Sequence, residues 1–237
     1  MKAWQEELLQ VAQDVDCEHT MLQRLSGAAR DLGFDYCAYG MRIPRSFSNP
    51  KTVMLNNYPA GWQVHYAREN YLKIDPTVHH CRQSSQSLVW KDAVFVDALA
   101  LWRDAQDHGL RHGWAQSSLD AFGVGGMLTL ARGHDALSQA WLEQEEIKLR
   151  WLVCVAHQSL SRLIRRRHCE DGAAGLSVRE LEVLKWTADG KTSGEIASIL
   201  AVSENTINFH VKNSIVKLRA SNKTSAVVQA ALLGLLN

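Results

Sequence analysis

"TSGEIASILAVSENTINFHVKNSIVKL", Thr192 to Leu218, decides how this 237-residue chain is organised. Thr192 and Glu195 have the spacing of a capping box, in which a hydroxyl and a carboxylate satisfy each other's orphan N–H groups at a helix start. Ile196, Ala197, Ile199 and Leu200 supply the apolar side of a short helix. Ser203 then offers a second cap, and Ile207, Val211, Ile215 and Leu218 follow at i, i+4, i+8 and i+11, one helical stripe. A short helix, a tight turn and a longer helix make a helix-turn-helix pattern. Upstream, Ser177 and Glu180 repeat the capping box; Leu181, Leu184 and Ala188 share a face, and Gly190 suits the left-handed end of that helix. Downstream, Lys223 to Leu233 reads as a closing helix. The result is an all-α four-helix unit of about 60 residues, large enough to bury its own core.

The longer helix carries no Asp or Glu from Asn205 to Ala220, although the chain as a whole holds 25 acids against 26 Lys+Arg. Thr206, His210, Asn213 and Lys217 lie at i, i+4, i+7 and i+11, with Asn208, Lys212 and Arg219 beside them. Amides and hydroxyls reach base edges, cations neutralise phosphates, and no carboxylate repels the backbone. Lys191 and Thr192, at a helix N-terminus, add a candidate phosphate contact. A lone basic helix would read as a solvated face; the two capped helices around the turn favour double-stranded nucleic acid as partner.

The candidate boundary is "RLIRRRHCEDGAAGLS", where a long helical pattern ends in a basic cluster and small residues follow. Expected boundaries are 1–167 for an N-terminal domain, 168–175 for a linker and 176–237 for the four-helix domain. From residue 172 onward there are seven Lys+Arg against five acids, and the first 171 residues carry nineteen against twenty. The small positive excess points weakly toward a polyanion. No apolar run reaches the roughly 18 residues that span a bilayer, and "MKAWQEELLQVAQDVD" is too polar for a signal peptide, so a cytoplasmic protein without a membrane partner is expected. The five scattered Cys include no C-x-x-C pair, which argues against a disulfide framework or a zinc site.

The first 165 residues read as mixed α/β. "YCAYGMRI" (36–43), "KTVML" (51–55), "AQSSL" (115–119) and "GGMLTLAR" (125–132) are strand-like, and helical patterns lie around them, the last from about Ser138 to Arg167. The fold class is therefore α+β: an N-terminal α/β/α sandwich with an antiparallel sheet, followed by the all-α helix-turn-helix domain. In "NNYPAGWQVHYARENYLKIDPTV", Trp62 and Tyr66 share a helical face and Asp75 closes the run. An indole N–H, a phenol O–H and a carboxylate suit a compact amphipathic ligand with carbonyls and an amide N–H. Two core aromatics and a helix-capping Asp fit the spacing equally well. Trp141, Trp151, Leu152, Val155, Leu160 and Leu163 give the last helix enough apolar surface for a subunit contact or for a core-facing role.

Residues 176 to 236 resemble the DNA-binding domain of LuxR-type regulators, with Glu180, Leu184 and Gly190 at the family's signature positions. The resemblance implies that the helix from Asn205 is a recognition helix in the major groove, one half of a homodimer on a dyad-symmetric site. The stretch around Trp62 resembles the ligand-binding domain of the acyl-homoserine-lactone receptors in that family. It implies Trp62 on the lactone carbonyl, Tyr66 near the acyl amide carbonyl and Asp75 on the amide N–H. It further implies that Tyr58, Thr77, Trp90, Trp102, Gly113 and Thr129 belong to the ligand-binding set, and that Ala38, Trp114 and Met127 stand where acyl length is set. No cofactor is implied. A buried Asp75 without partners would destabilise the empty domain, so ligand is expected to raise stability.

Enzyme classes find little support. "GVGG" (123–126) lacks the dinucleotide-loop spacing and reads as a tight turn; His79–His80 has no accompanying metal-ligand pattern; no nucleophile elbow is present. A response regulator sharing the same DNA-binding domain is the alternative, and it would need a doubly wound parallel sheet and an early acidic cluster.

Overall fold

The structure, a computed structural model, describes residues 6, 9–10, 12–13, 15–43, 51–120, 124–170 and 175–236, with the side chains of 168–170 left out. It divides into two compact units. The first holds the described residues through Arg42 together with Thr52–Ile164, and the second holds Ile43, Lys51 and the described residues from Arg165 on. Half of the expected linker, residues 171–174, lies outside the described residues, and residues 168–170 continue the preceding helix.

In the first unit the elements are α1 (Glu18–Asp31), β1 (Tyr36–Ile43), β2 (Lys51–Asn56), α2 (Ala60–Arg68), α3 (Pro76–Gln83), β3 (Leu88–Val89), α4 (Leu99–Asp107), β4 (His112–Leu119), β5 (Gly125–Arg132) and α5 (Gln139–Glu170). The strands form one sheet of order β2-β1-β5-β4-β3 whose β1–β5, β4–β5 and β3–β4 pairs are antiparallel. That excludes the doubly wound parallel sheet of a response regulator. Two-residue β3 was not legible, because a pair of apolar residues carries no periodicity. "GVGG" is not simply a turn: Gly125 and Gly126 open β5, and Gly123 lies outside the described residues. A Cβ on Gly126 would stand 2.4 Å from the Tyr39 hydroxyl, so only glycine lets β5 approach there.

Alternation along the strands sorts the sheet into two faces. Cys37, Tyr39, Met41, Leu128 and Leu130 are buried on one face, where Tyr39 Oη meets His157 Nδ1 of α5 at 2.8 Å. The opposite face carries mostly small residues in register: Ala38, Thr129 and Ala115 in one row, Gly40 and Ser117 on either side of Met127 in the next. Small side chains leave space above this second face.

The second unit contains α6 (Val178–Ala188), α7 (Ser193–Leu200), α8 (Glu204–Lys217) and α9 (Lys223–Leu232). Both expected capping boxes form, Ser177 with Glu180 and Thr192 with Glu195, and Ser203 caps α8 through the Thr206 N–H. Gly190 follows α6 at φ +83°. Val183, Ile196, Ala197, Ile207 and Val211 make one apolar cluster; Leu184, Leu218, Ala226 and Ala230 make another. Ala188 is exposed and Val183 takes the core position expected of it, because α6 turns Glu180, Val183 and Leu184 inward.

Candidate functional site

A cavity of about 750 Å³ lies above the small-residue face of the sheet. Its walls include Tyr58, Trp62, Tyr66, Asp75, Thr77, Trp90 and Thr129, residues spread over more than seventy positions of sequence. Asp75 is the hinge of the arrangement. It caps α3 by accepting from the Thr77 N–H at 2.8 Å, and Pro76 at the first helical position fixes the backbone there. Its Oδ1 also accepts from Thr77 Oγ1 at 2.7 Å, and its Oδ2 from Tyr66 Oη at 2.9 Å. Helix cap and cavity carboxylate are thus one residue. The expectation of an Asp75 left without partners is overturned, since three protein donors already hold it.

Burial, together with the nearby Asp75 charge and hydrogen bond, pushes the Tyr66 phenol far above its ordinary range, so Tyr66 is a donor at all physiological pH values. Tyr58 is pushed up in the same direction, by burial first and then by Cys37 and Asp75. Cys81, also on the cavity wall, is pushed up to about 12 by burial and the Asp75 charge, which keeps it a thiol. Among the described residues the Trp62 indole N–H and the Tyr58 and Thr129 hydroxyls have no protein hydrogen-bond partner. Thr129 stands between Ala38 and Ala115, whose small side chains leave its hydroxyl accessible.

Trp62 is held from behind. It is 4 % exposed, and the rings of Tyr66, Tyr71, His65 and His108 surround it at centroid distances of 5.4 to 6.2 Å. Asp104 Oδ2 accepts from Tyr71 Oη and meets His65 Nε2, both at 2.5 Å. Hydrogen bonds from Tyr71 and His65 hold the Asp104 carboxyl below its usual range, and burial with the Asp104 bond pushes Tyr71 up to about 12. Sequence reading missed this buttress because His65 and Asp104 are 39 residues apart and carry no motif.

Trp102 and Gly113 do not line the cavity. Trp102 stacks on Phe95 at 4.4 Å, donates its N–H to Asp92 at 2.8 Å and meets Trp90 edge-on at 6.2 Å. At Gly113 a Cβ would stand 2.2 Å from the Trp90 ring. Both therefore seat Trp90 from behind the wall. Ala38 and Met127 line the cavity, but Trp114 points to the other face of the sheet, one residue out of phase with Gly113 and Ala115. His79 and His80 each bond a backbone carbonyl, of Lys73 and Gln86.

On α8 the geometry shifts the expected polar face. The buried residues Ile207, Val211, Ser214 and Leu218 define the inward direction. Thr206, His210, Asn213 and Lys217 flank that stripe and are half-buried, and the exposed positions are Glu204, Asn205, Asn208, Phe209, Lys212 and Val216, with Arg219 just beyond the helix. Lys217 Nζ is 2.8 Å from Glu180 Oε2, so its charge points into the unit and not outward. Burial alone would raise the Glu180 carboxyl, but hydrogen bonds from Lys217 and Ser177 outweigh it and hold it below the usual range. Thr206 Oγ1 is 2.9 Å from the Ser203 hydroxyl, and Thr192 donates to its capping partner Glu195 at 2.9 Å. Lys191 keeps partial exposure at the start of α7.

Residues 18–160 match the family model of the autoinducer binding domain, and residues 174–230 that of bacterial regulatory proteins of the luxR family. The chain belongs to the LuxR family. The transcriptional activator protein AnoR of Acinetobacter nosocomialis is 45 % identical to this LuxR-family chain, with all of both chains covered. The HTH-type quorum-sensing regulator RhlR of Pseudomonas aeruginosa is 39 % identical over 98 % of this chain and 96 % of its own. The crystal structure of Escherichia coli SdiA superposes with a TM-score of 0.87 at 34 % identity, covering 99 % of this chain and 98 % of that one. The cavity lies within the autoinducer-binding match, and α6 to α9 coincide with the luxR-family match. This chain is accordingly an autoinducer-binding transcriptional regulator with a helix-turn-helix DNA-binding domain.

Proposed function

We propose that the autoinducer is an N-acyl-homoserine lactone, bound in the cavity above β1, β5 and β4. One observation carries this reading: a single cavity holds an anchored carboxylate, Asp75, beside the unpartnered donors of Trp62 and Tyr58. An acyl-homoserine lactone presents one amide N–H, which Asp75 accepts, and two carbonyls, which Trp62 and Tyr58 serve, while Tyr66 keeps its O–H directed at Asp75 beside them. Thr129 and Thr77 border the amide, Trp90 walls the head group, and the small-residue rows leave room for an acyl chain.

In the same reading, Lys191, Thr192, Asn205, Asn208 and Lys212 contact double-stranded DNA, and Thr206, His210 and Asn213 flank the groove-facing surface. The domains are 1–167 for ligand and dimerisation and 176–237 for DNA. The regulator acts as a homodimer on a dyad-symmetric site; Leu152, Val155, Leu160 and Leu163 of α5 are buried and take the core-facing role, so a subunit contact on this helix is supported only by exposed Ile147. Among the described residues no helix is long and apolar enough to cross a membrane; the DNA-binding role of the luxR-family match is what supports a cytoplasmic regulator.

The test is the melting temperature of purified protein against homoserine lactones with short, medium and long acyl chains, with unmodified fatty acids as controls. A chain-length-selective rise is expected. No rise with any lactone, in folded protein free of pre-bound ligand, would remove the ligand assignment and leave the DNA-binding unit untouched.

A further inference from the structure

The exposed side of α8 is not purely polar. Phe209 is 59 % exposed and Val216 is 70 % exposed, and both lie on the stripe Asn205, Phe209, Lys212, Val216, opposite the buried one. Singly exposed apolar residues are common, as at Val64 and Val178, but a Phe and a Val aligned on one stripe of a helix within the DNA-binding family match have a surface to meet. Their neighbours define what that is. Asn208, Lys212 and Arg219 are exposed around them, and Asn205 to Ala220 contains no carboxylate. A second protein surface would gain from this patch only if it were acidic as well as apolar. The major groove of DNA offers both properties at once: phosphates for the cations, amide-matching base edges for Asn205 and Asn208, and one apolar group, the C5-methyl of thymine.

We infer that Phe209, with Val216 on the same stripe, reads thymine methyl groups in the regulator's DNA site, so that part of its sequence preference is apolar. This rests on the reading of α8 as the helix that enters the groove. The two side chains are seven residues apart, about 10 Å along the helix axis. They therefore meet separate base pairs and give separable signals. Phe209 lies in the N-terminal half of α8, the part of a recognition helix that contacts base edges.

The experiment uses the full chain, with the lactone that raises its melting temperature most. A duplex is selected from random sequence, and each thymine is then replaced singly by deoxyuridine, which removes only the methyl group. At one or more thymines in each half-site, wild-type affinity is expected to fall about fourfold, the equivalent of unburying one methyl-sized group. In Phe209→Ala the same replacement should change affinity less than about 1.5-fold, while the melting temperature stays unchanged because the ring is exposed. Val216→Ala should lose the response at a different thymine. Sequence-selective binding that is indifferent to every deoxyuridine overturns the inference and leaves α8 in the groove. Binding without sequence selectivity overturns the inference together with the groove reading. A change in oligomeric state on Phe209→Ala, with the deoxyuridine response intact, assigns the patch to a second copy instead.

Discussion

Asp75 and Glu180 are built alike and end up doing different things. Each is a carboxylate at a helix N-terminus, and each accepts from a backbone N–H, of Thr77 and of Ser177. Glu180 is 3 % exposed, and its Oε2 also takes the Lys217 ammonium, so its charge is neutralised inside the four-helix unit. Asp75 is held only by neutral donors and opens onto the cavity. A capping motif sets the local backbone, and the third partner decides between structure and recognition. An internal cation makes the group structural; neutral partners leave its charge for a ligand.

The largest expected effect breaks the structural member of the pair. Glu180→Ala removes a cap and leaves Lys217 only the Gly175 carbonyl at 3.4 Å, and should lower the stability of the DNA-binding unit by about 3 kcal/mol, toward the low end for a broken buried pair because Lys217 is partly exposed. Denaturant unfolding followed by a probe in that unit measures it. A loss below about 1 kcal/mol would make the two carboxylates equivalent and end the contrast.

Asp75→Asn tests the other side. Shape and the Thr77 contacts survive, so stability without ligand should fall by about 1 kcal/mol or less, while the binding free energy of a stabilising lactone should fall by about 2 kcal/mol, the worth of a charged hydrogen bond. Calorimetric titration separates the two. Gly113→Ala sharpens the point, because its methyl must push the Trp90 ring toward the cavity; about 1–2 kcal/mol of stability and comparable affinity should be lost although residue 113 touches no ligand.

Acid provides a smaller, signed test. The folded Glu180 value lies below its ordinary one, so its contribution is fully present above the usual carboxylate range and is lost as pH falls through the lowered value. Stability of the wild-type unit should therefore drop more steeply below about pH 4.5 than that of Glu180→Gln, as read from melting curves across pH. The smallest effect separates two lysines on one helix. Lys212→Ala should reduce the salt-dependence slope of DNA binding by about 1, and Lys217→Met should leave that slope unchanged. Equal slopes for both variants would return Lys217 to the DNA surface.

Much of this was legible in the sequence where the signals are local. The two capping boxes, the Ser203 cap, the Ile207–Val211–Leu218 stripe and strands 36–43 and 125–132 are read from residues a few positions apart, and all form. The alternatives for Trp62, Tyr66 and Asp75 remained open at that level, and the structure shows that capping and cavity-lining are both true of Asp75. The direction of the α8 surface was misread by about a quarter turn, because a helical stripe fixes only the inward side. Which flank another helix covers depends on Glu180 reaching Lys217 from 37 residues away.

The helix starts, the helix-turn-helix, the mixed α/β character of the first unit and the family can be read from the residues in order, because each rests on short-range periodicity or on local motifs. That Trp102 and Gly113 support Trp90 from behind, that His65, Tyr71 and Asp104 brace Trp62, and that Lys217 is spent internally while Phe209 faces outward emerge only once the chain is folded. Those outcomes depend on strand register and helix rotation, which bring together groups tens of residues apart and leave no trace in local spacing.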